Sequence, residues 1–280
     1  MNRRRVPPGK NVAHLILTAV VLVCLCASGC GKIQSIIHSL LRTSRSAKSQ
    51  FARRTPGTTV SGPRLAIILD DVGGDNAAID SIFALPYPLT LSILPNHPHS
   101  AEIAEEAHRR GYQVMLHLPM EAVGAEAPEP QELRPGMSSQ EVSSELTAML
   151  RTVPYAAGVN NHQGSRATSD GFLMTELMPV LQSHRLFFID SRTTTATVAY
   201  DRAQAAGVPC AYRNVPFLDD VQETGAIRRQ LQLAVKDARE MGAAIAIGHP
   251  HPATLRALAD FLPQVQAQGV HLVHASDLVH

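Results

Sequence analysis

Arg64-Leu65-Ala66-Ile67-Ile68-Leu69-Asp70-Asp71-Val72-Gly73-Gly74 decides how the rest of the chain is read. Leu65 to Leu69 form an unbroken apolar run that ends on two adjacent carboxylates and two glycines. A short continuous run of this kind is a strand buried on both faces, as in a parallel sheet. Successive side chains point to opposite faces, so only one of Asp70 and Asp71 can follow the core-facing line. Two like charges at the end of a buried strand resist desolvation unless a cation or hydrogen-bond donors stand nearby. Gly73 and Gly74 allow a sharp turn and a close approach to the backbone. A functional reading is preferred to a helix cap because later strands end the same way.

Working outward, the same grammar repeats. Leu89 to Leu94 is a second strand, and Tyr112 to Leu116 a third that runs into His117 and Glu121. Ala157 to Asn160 leads into Asn161-His162, Leu186 to Ile189 into Asp190-Ser191-Arg192, and Ala243 to Ile247 into Gly248-His249-Pro250-His251. Val208 to Tyr212 and Val270 to Val273 complete the set. Between them lie helix-period segments: Ser100 to Arg110, a capping box at Ser138 and Glu141, Leu173 to Leu181 kinked or stopped by Pro179, Ala199 to Ala206, Ile227 to Ala238, and Leu255 to Leu262. This alternation implies a parallel sheet. Seven or eight units in about 215 residues point to a (β/α) barrel with its site at the C-terminal face, a doubly wound open sheet being the alternative.

Charge divides the 280-residue chain. No acidic residue precedes Asp70, whereas residues 1–63 carry ten Lys or Arg; from Arg64 on, 15 basic residues face 24 acidic ones, a formal charge of −9. An acidic domain argues against nucleic acid as a partner, and the absence of Trp argues against a stacking platform. Residues 1–30 read as a targeting segment: Arg3 to Arg5 and Lys10, then apolar Leu15 to Cys26, then Ala27-Ser28-Gly29-Cys30. The last four resemble a bacterial lipoprotein signal with Cys30 as the lipidated residue; an uncleaved signal anchor is the alternative. Either makes the protein exported, periplasmic or in the cell envelope, and tied to a membrane. Residues 31–63 read as a basic flexible linker suited to anionic lipid head groups, and 64–280 as the globular domain. Cys210 is the domain's one cysteine, so no internal disulfide forms there.

The strand ends gather Asp70, Asp71, His117, Glu121, Asn161, His162, Asp190, His249 and His251. Carboxylate and imidazole together suit a borderline divalent ion, zinc first. Three histidines ending three different strands point to one shared site. No Gly-x-Ser-x-Gly elbow or Gly-x-Gly-x-x-Gly fingerprint occurs.

Arg64 to Gly74, Gly111 to Glu121, Asn160 to Ser165, Phe188 to Arg192 and Gly248 to Thr254 resemble the divergent polysaccharide deacetylases, exported relatives of the NodB-type carbohydrate esterases. The resemblance implies a distorted (β/α) barrel of seven or eight parallel strands. It implies Asp70 as base, Asp71 as metal ligand, and His249, in Ile247-Gly248-His249, as general acid. The family's His-x-x-x-His motif keeps its first position at His117 and has Glu121 at the second, while Asn160 to Ser165 replaces an Arg-Pro-Pro-Tyr segment and introduces His162. The expected metal set is therefore Asp71, His117 and His162, binding a divalent ion, most simply zinc. Asp190 is expected to orient an imidazole or a substrate hydroxyl, and Glu121, Asn161, Arg192 and His251 to meet substrate. The implied activity removes N- or O-linked acetyl groups from a cell-envelope polysaccharide. A catalytically weak envelope protein that binds a glycan or a protein partner is the alternative.

Overall fold

The computed structural model describes residues 61–74, 78–124, 129 and 131–280. The targeting segment with Cys30, the linker up to residue 60, and part of the loop after Glu121 lie outside the described residues. Among the described residues no helix is long and apolar enough to cross a membrane.

The opening stretch forms β1 (Arg64–Val72), and the strands that follow are β2 (Thr90–Ile93), β3 (Gln113–Met120), β4 (Gly158–Gln163), β5 (Phe187–Asp190), β6 (Cys210–Tyr212), β7 (Ala243–Gly248) and β8 (His271–Val273). All pairings are parallel, in the order β6-β5-β4-β3-β2-β1-β7, with β8 beside the first half of β1. These strands make a nearly closed barrel of seven parallel strands rather than an open doubly wound sheet. The seam between β6 and β7 is bridged by the segment after β6. Asn214 N–H donates to the Ile245 carbonyl at 3.0 Å, Asn214 Oδ1 accepts from Ile245 N–H at 2.7 Å, and Leu218 N–H donates to Ile247 at 2.9 Å.

Alternation along β1 sorts the core into two layers. Ala66 and Ile68 pack with Met115, Ile189, Ile245 and Ile247 in the barrel interior. Leu65, Ile67 and Leu69 face the helices in the larger outer layer. The helices are α1 (Ile79–Phe83), α2 (Ser100–Arg110), α3 (Ser139–Leu150), α4 (Gly171–Ser183), α5 (Ala199–Ala206), α6 (Thr224–Met241) and α7 (Pro252–Ala267). The capping box opens α3 as expected: Ser138 Oγ accepts from Glu141 N–H, and Glu141 Oε2 accepts from Ser138 N–H at 2.8 Å. Ile227, Leu231, Ala234, Val235 and Ala238 are the buried stripe of α6. Helix α4 runs on through Pro179 to Ser183 instead of stopping, with Asp170 capping its start.

Candidate active site

The paired carboxylates need a device to reach one place, because strand geometry sends neighbours to opposite faces. Asp70 continues the inward line of Ala66 and Ile68 and is buried. Asp71 should then point outward. It does not, because β1 breaks register with β2 between Leu69 and Val72, and Asp71 takes a left-handed backbone at φ 57°. Such a conformation costs a non-glycine residue about 1–3 kcal/mol and persists where surrounding structure holds it. Both carboxylates consequently face one imidazole: His117 Nε2 lies 3.1 Å from Asp71 Oδ1 and 3.7 Å from Asp70 Oδ2.

His117 comes from β3 and is buried. Its Nδ1 stands 2.9 Å from Asn160 Oδ1 on the neighbouring strand, which also accepts from Ser92 Oγ. The amide of Asn160 donates to Asp70 Oδ1 at 2.9 Å and to Ser191 Oγ at 3.1 Å. This arrangement fixes the ring. An amide oxygen facing Nδ1 requires the proton there, which leaves the Nε2 lone pair directed at Asp71. Asn160 thus holds the carboxylate of Asp70 and the imidazole of His117 through one side chain.

His162 extends the same strand by two residues. Its Nδ1 lies 3.1 Å from Asp71 Oδ1 and 3.2 Å from His117 Nε2, and its Nε2 lies 3.6 Å from Glu129. Asp71 Oδ1 is buried and accepts no hydrogen bond of good geometry, although two ring nitrogens face it. Three donor atoms therefore converge in a triangle of 3.1, 3.1 and 3.2 Å. Atoms about 2.0–2.1 Å from one ion at tetrahedral angles lie about 3.3–3.4 Å apart. The set fits a divalent cation. The local field agrees: burial works against ionisation of Asp71, yet the two imidazoles hold its carboxyl far below the usual range. Burial likewise opposes charge on His117, but the Asp70 and Asp71 carboxylates outweigh it and raise its pKa. Asp70 itself is pushed up, chiefly by burial and further by Asp71.

Across the mouth, His249 Nε2 is 3.7 Å from Asp71 Oδ2, and its Nδ1 donates to Asp219 Oδ1 at 2.9 Å. Asp219 Oδ2 accepts from His249 N–H and Thr254 Oγ1, both at 2.7 Å. The Leu218–Ile247 bond across the barrel seam places Asp219 there, and Gly248 makes room. A Cβ on Gly248 would lie 3.1 Å from Leu218 Cβ. Burial opposes charge on His249, but the Asp219 bond and the Asp71 carboxylate raise its pKa to about 9. Asp219 is held low by the same pairing and by Thr254, against its burial.

The remaining expected residues stand elsewhere. Asp190 touches no imidazole; its oxygens accept from Arg192 N–H, Thr197 Oγ1 and Tyr200 N–H, at 2.8, 2.9 and 3.3 Å. The orienting contact expected of it is made by Asp219. Glu121 turns to Arg166 at 2.8 Å, away from the His117 and His162 cluster. Asn161 is buried and ties β4 to the loop after β5, accepting from Ser191 N–H at 2.9 Å. Arg192 lies over the Tyr212 ring at 3.4 Å. His251 Nε2 lies 3.0 Å from the side-chain amide nitrogen of Gln222, and its ring neighbours His249. Sequence reasoning missed Asn160, Asp219 and Glu129. The run Asn160-Asn161-His162 inside a strand was the available signal for the first; no local signal marks Asp219.

A family model for divergent polysaccharide deacetylases matches residues 67–279. The chain is 41% identical over 217 residues to the uncharacterized protein YibQ of Escherichia coli K12, covering 78% of this chain and 67% of that protein. The crystal structure of uncharacterized ATU2773 from Agrobacterium tumefaciens superposes with a TM-score of 0.76 at 22% identity, covering 80% of this chain and 92% of the other. Two further structures share the fold. One is the peptidoglycan deacetylase PdaC of Bacillus subtilis (TM-score 0.51, 14% identity, 78% and 90% covered). The other is a mutant, with restored enzymatic activity, of BA3943, a CE4 family pseudoenzyme of Bacillus anthracis (0.52, 12%, 78% and 68%).

Proposed function

The chain belongs to the divergent polysaccharide deacetylase family, and from that premise we propose that it is a metal-dependent hydrolase removing N- or O-linked acyl groups, acetyl among them, from a cell-envelope glycan. The observation that carries this reading is the convergence of Asp71 Oδ1, His117 Nε2 and His162 Nδ1 beside a buried Asp70 and a His249 paired with Asp219. Asp71, His117 and His162 would hold a divalent ion, zinc first on the chemistry of the ligands, and such an ion polarises a carbonyl and acidifies water. Asp70, held through Oδ1 by Asn160 and pushed up by burial, keeps Oδ2 to take a proton from the attacking water. The raised pKa of His249 suits it to offer a proton through Nε2 to the leaving nitrogen or oxygen as the C–N or C–O bond breaks. Asp219 fixes the ring for that delivery and stabilises its charge.

The alternative of a weak or inactive binding protein rested on the missing second histidine of the family motif; His162 supplies an imidazole in its place, which favours an enzyme. The envelope as its place of work rests on the targeting segment, and we propose a membrane tie through Cys30 or an uncleaved anchor. The test is release of carboxylic acid from acylated chito- and peptidoglycan oligomers by the purified protein with zinc, cobalt or nickel. Failure with all three metals, in protein shown to bind them, would overturn the hydrolase.

A further inference from the structure

A cleft of about 660 Å3 adjoins the reacting centre, between α1 and the first turns of α7. Asp71 and His249 line it together with the apolar Val72, Ile79, Ile82, Leu85, Leu255 and Ala259. Besides Asp71 and His249, the polar side chains among its described lining residues are Ser81, His251 and Arg256. An acetyl group has two carbons and would leave most of this space unfilled; clefts of about 300–1,000 Å3 enclose drug-sized ligands. A sugar ring would strand its hydroxyls against the aliphatic wall, because burying a hydroxyl without a partner is costly. An aliphatic chain suffers no such loss. Its position also selects the part of the substrate. The residues proposed to flank the carbonyl, Asp71 and His249, also line the cleft, so the chain continuing from the acyl carbon has this apolar exit.

We propose that the cleft receives the acyl chain of the substrate, and that the group removed is an aliphatic acyl chain longer than acetyl. This inference rests on the hydrolase reading above. Water adds its oxygen to the acyl carbon and yields one proton to Asp70. The bond from acyl carbon to nitrogen or oxygen breaks, the leaving atom takes a proton from His249, and an aliphatic carboxylic acid departs beside an amine or alcohol. The proton on Asp70 then returns to His249 through solvent.

The experiment uses the zinc-loaded full chain with p-nitrophenyl acetate, butyrate, hexanoate and octanoate, and calorimetric binding of octanoate. Each buried methylene contributes about 0.8 kcal/mol, so kcat/KM should rise about three- to fourfold per added carbon until the cleft is full. Ala259 is an exposed wall position, so Ala259→Trp narrows the cleft without touching the core. It should flatten the chain-length profile, leave acetate within twofold and weaken octanoate binding. Ile79→Ser, on the opposite wall, should lower octanoate turnover without altering acetate. Acetate hydrolysis with a flat profile in the wild type overturns the acyl cleft while sparing the hydrolase. Octanoate binding that Ala259→Trp abolishes, with no ester hydrolysed, supports the occupant of the cleft and overturns the hydrolase. Octanoate neither bound nor preferred, as a peptide occupant would give, overturns the inference.

Discussion

Replacing Asn160 by leucine tests how the centre is assembled. The change keeps the volume roughly constant and deletes both the acceptor and the donors. In the wild type the amide is fully buried and faces four polar groups: Ser92 Oγ, His117 Nδ1 at 2.9 Å, Asp70 Oδ1 at 2.9 Å and Ser191 Oγ at 3.1 Å. The two hydroxyls can rotate, but the carboxylate oxygen and the ring nitrogen are fixed by their strands. Each buried group left unpaired costs about 1–3 kcal/mol, so these two together cost about 2–6 kcal/mol. That is a large part of the roughly 5–15 kcal/mol that holds a domain folded. A second effect follows from the tautomer. Without the amide oxygen, nothing fixes the proton on Nδ1, and loss of such a partner typically lowers metal affinity about 10–100-fold. Urea unfolding of the chelated protein reads the first effect, and competitive zinc titration the second. A stability loss under about 1 kcal/mol together with zinc affinity within twofold of wild type would refute the reasoning.

Three further outcomes are expected. His162→Ala should abolish measurable zinc binding, whereas Glu121→Ala, which only frees Arg166, should leave zinc affinity within a few-fold in the same titration. In chelated protein, the His249 and Asp219 pair should make stability fall with rising pH. The folded pKa of about 9 exceeds the unfolded 6.5, so the contribution is complete below about pH 6.5 and lost as pH rises through about 9. Thermal melts of wild type and His249→Gln should differ at pH 6 and converge by pH 10; a constant gap would contradict the pairing. Finally, Cys30→Ser should remove palmitate labelling and leave full-length precursor, and an unlabelled wild type would favour the uncleaved anchor.

Most of the barrel could be read from the chain because buried parallel strands are written as apolar runs. The limits of that code are specific. β4 extends to Gln163, beyond the apolar run, because Asn160 and Asn161 find their hydrogen bonds inside the barrel and need no hydrophobic substitute. The reach of Asp71 could not be foreseen, since alternation sends it outward and only the register break with its left-handed backbone brings it back. Asp190 ends its strand as the proposed ligands do, yet its carboxylate is consumed by the turn that follows. Asp219 lies in a loop and acquires its partner only when that loop is laid against β7. Strand ends therefore revealed the three donor groups that converge, whereas partners set by loop register did not show.

The pairing of β1 also sets the order of events in time. Arg64 is matched to Ala243 on one side and to His271 on the other, so the strand that bears both carboxylates is flanked by the chain's last two strands. During synthesis β1 waits for nearly the whole domain before its hydrogen bonds are complete, and His249 cannot meet Asp71 any earlier. Contacts so distant in sequence close slowly. A nascent chain of this topology cannot close its barrel until β7 and β8 have been made, and a product truncated before β7 has no His249 to set beside Asp71.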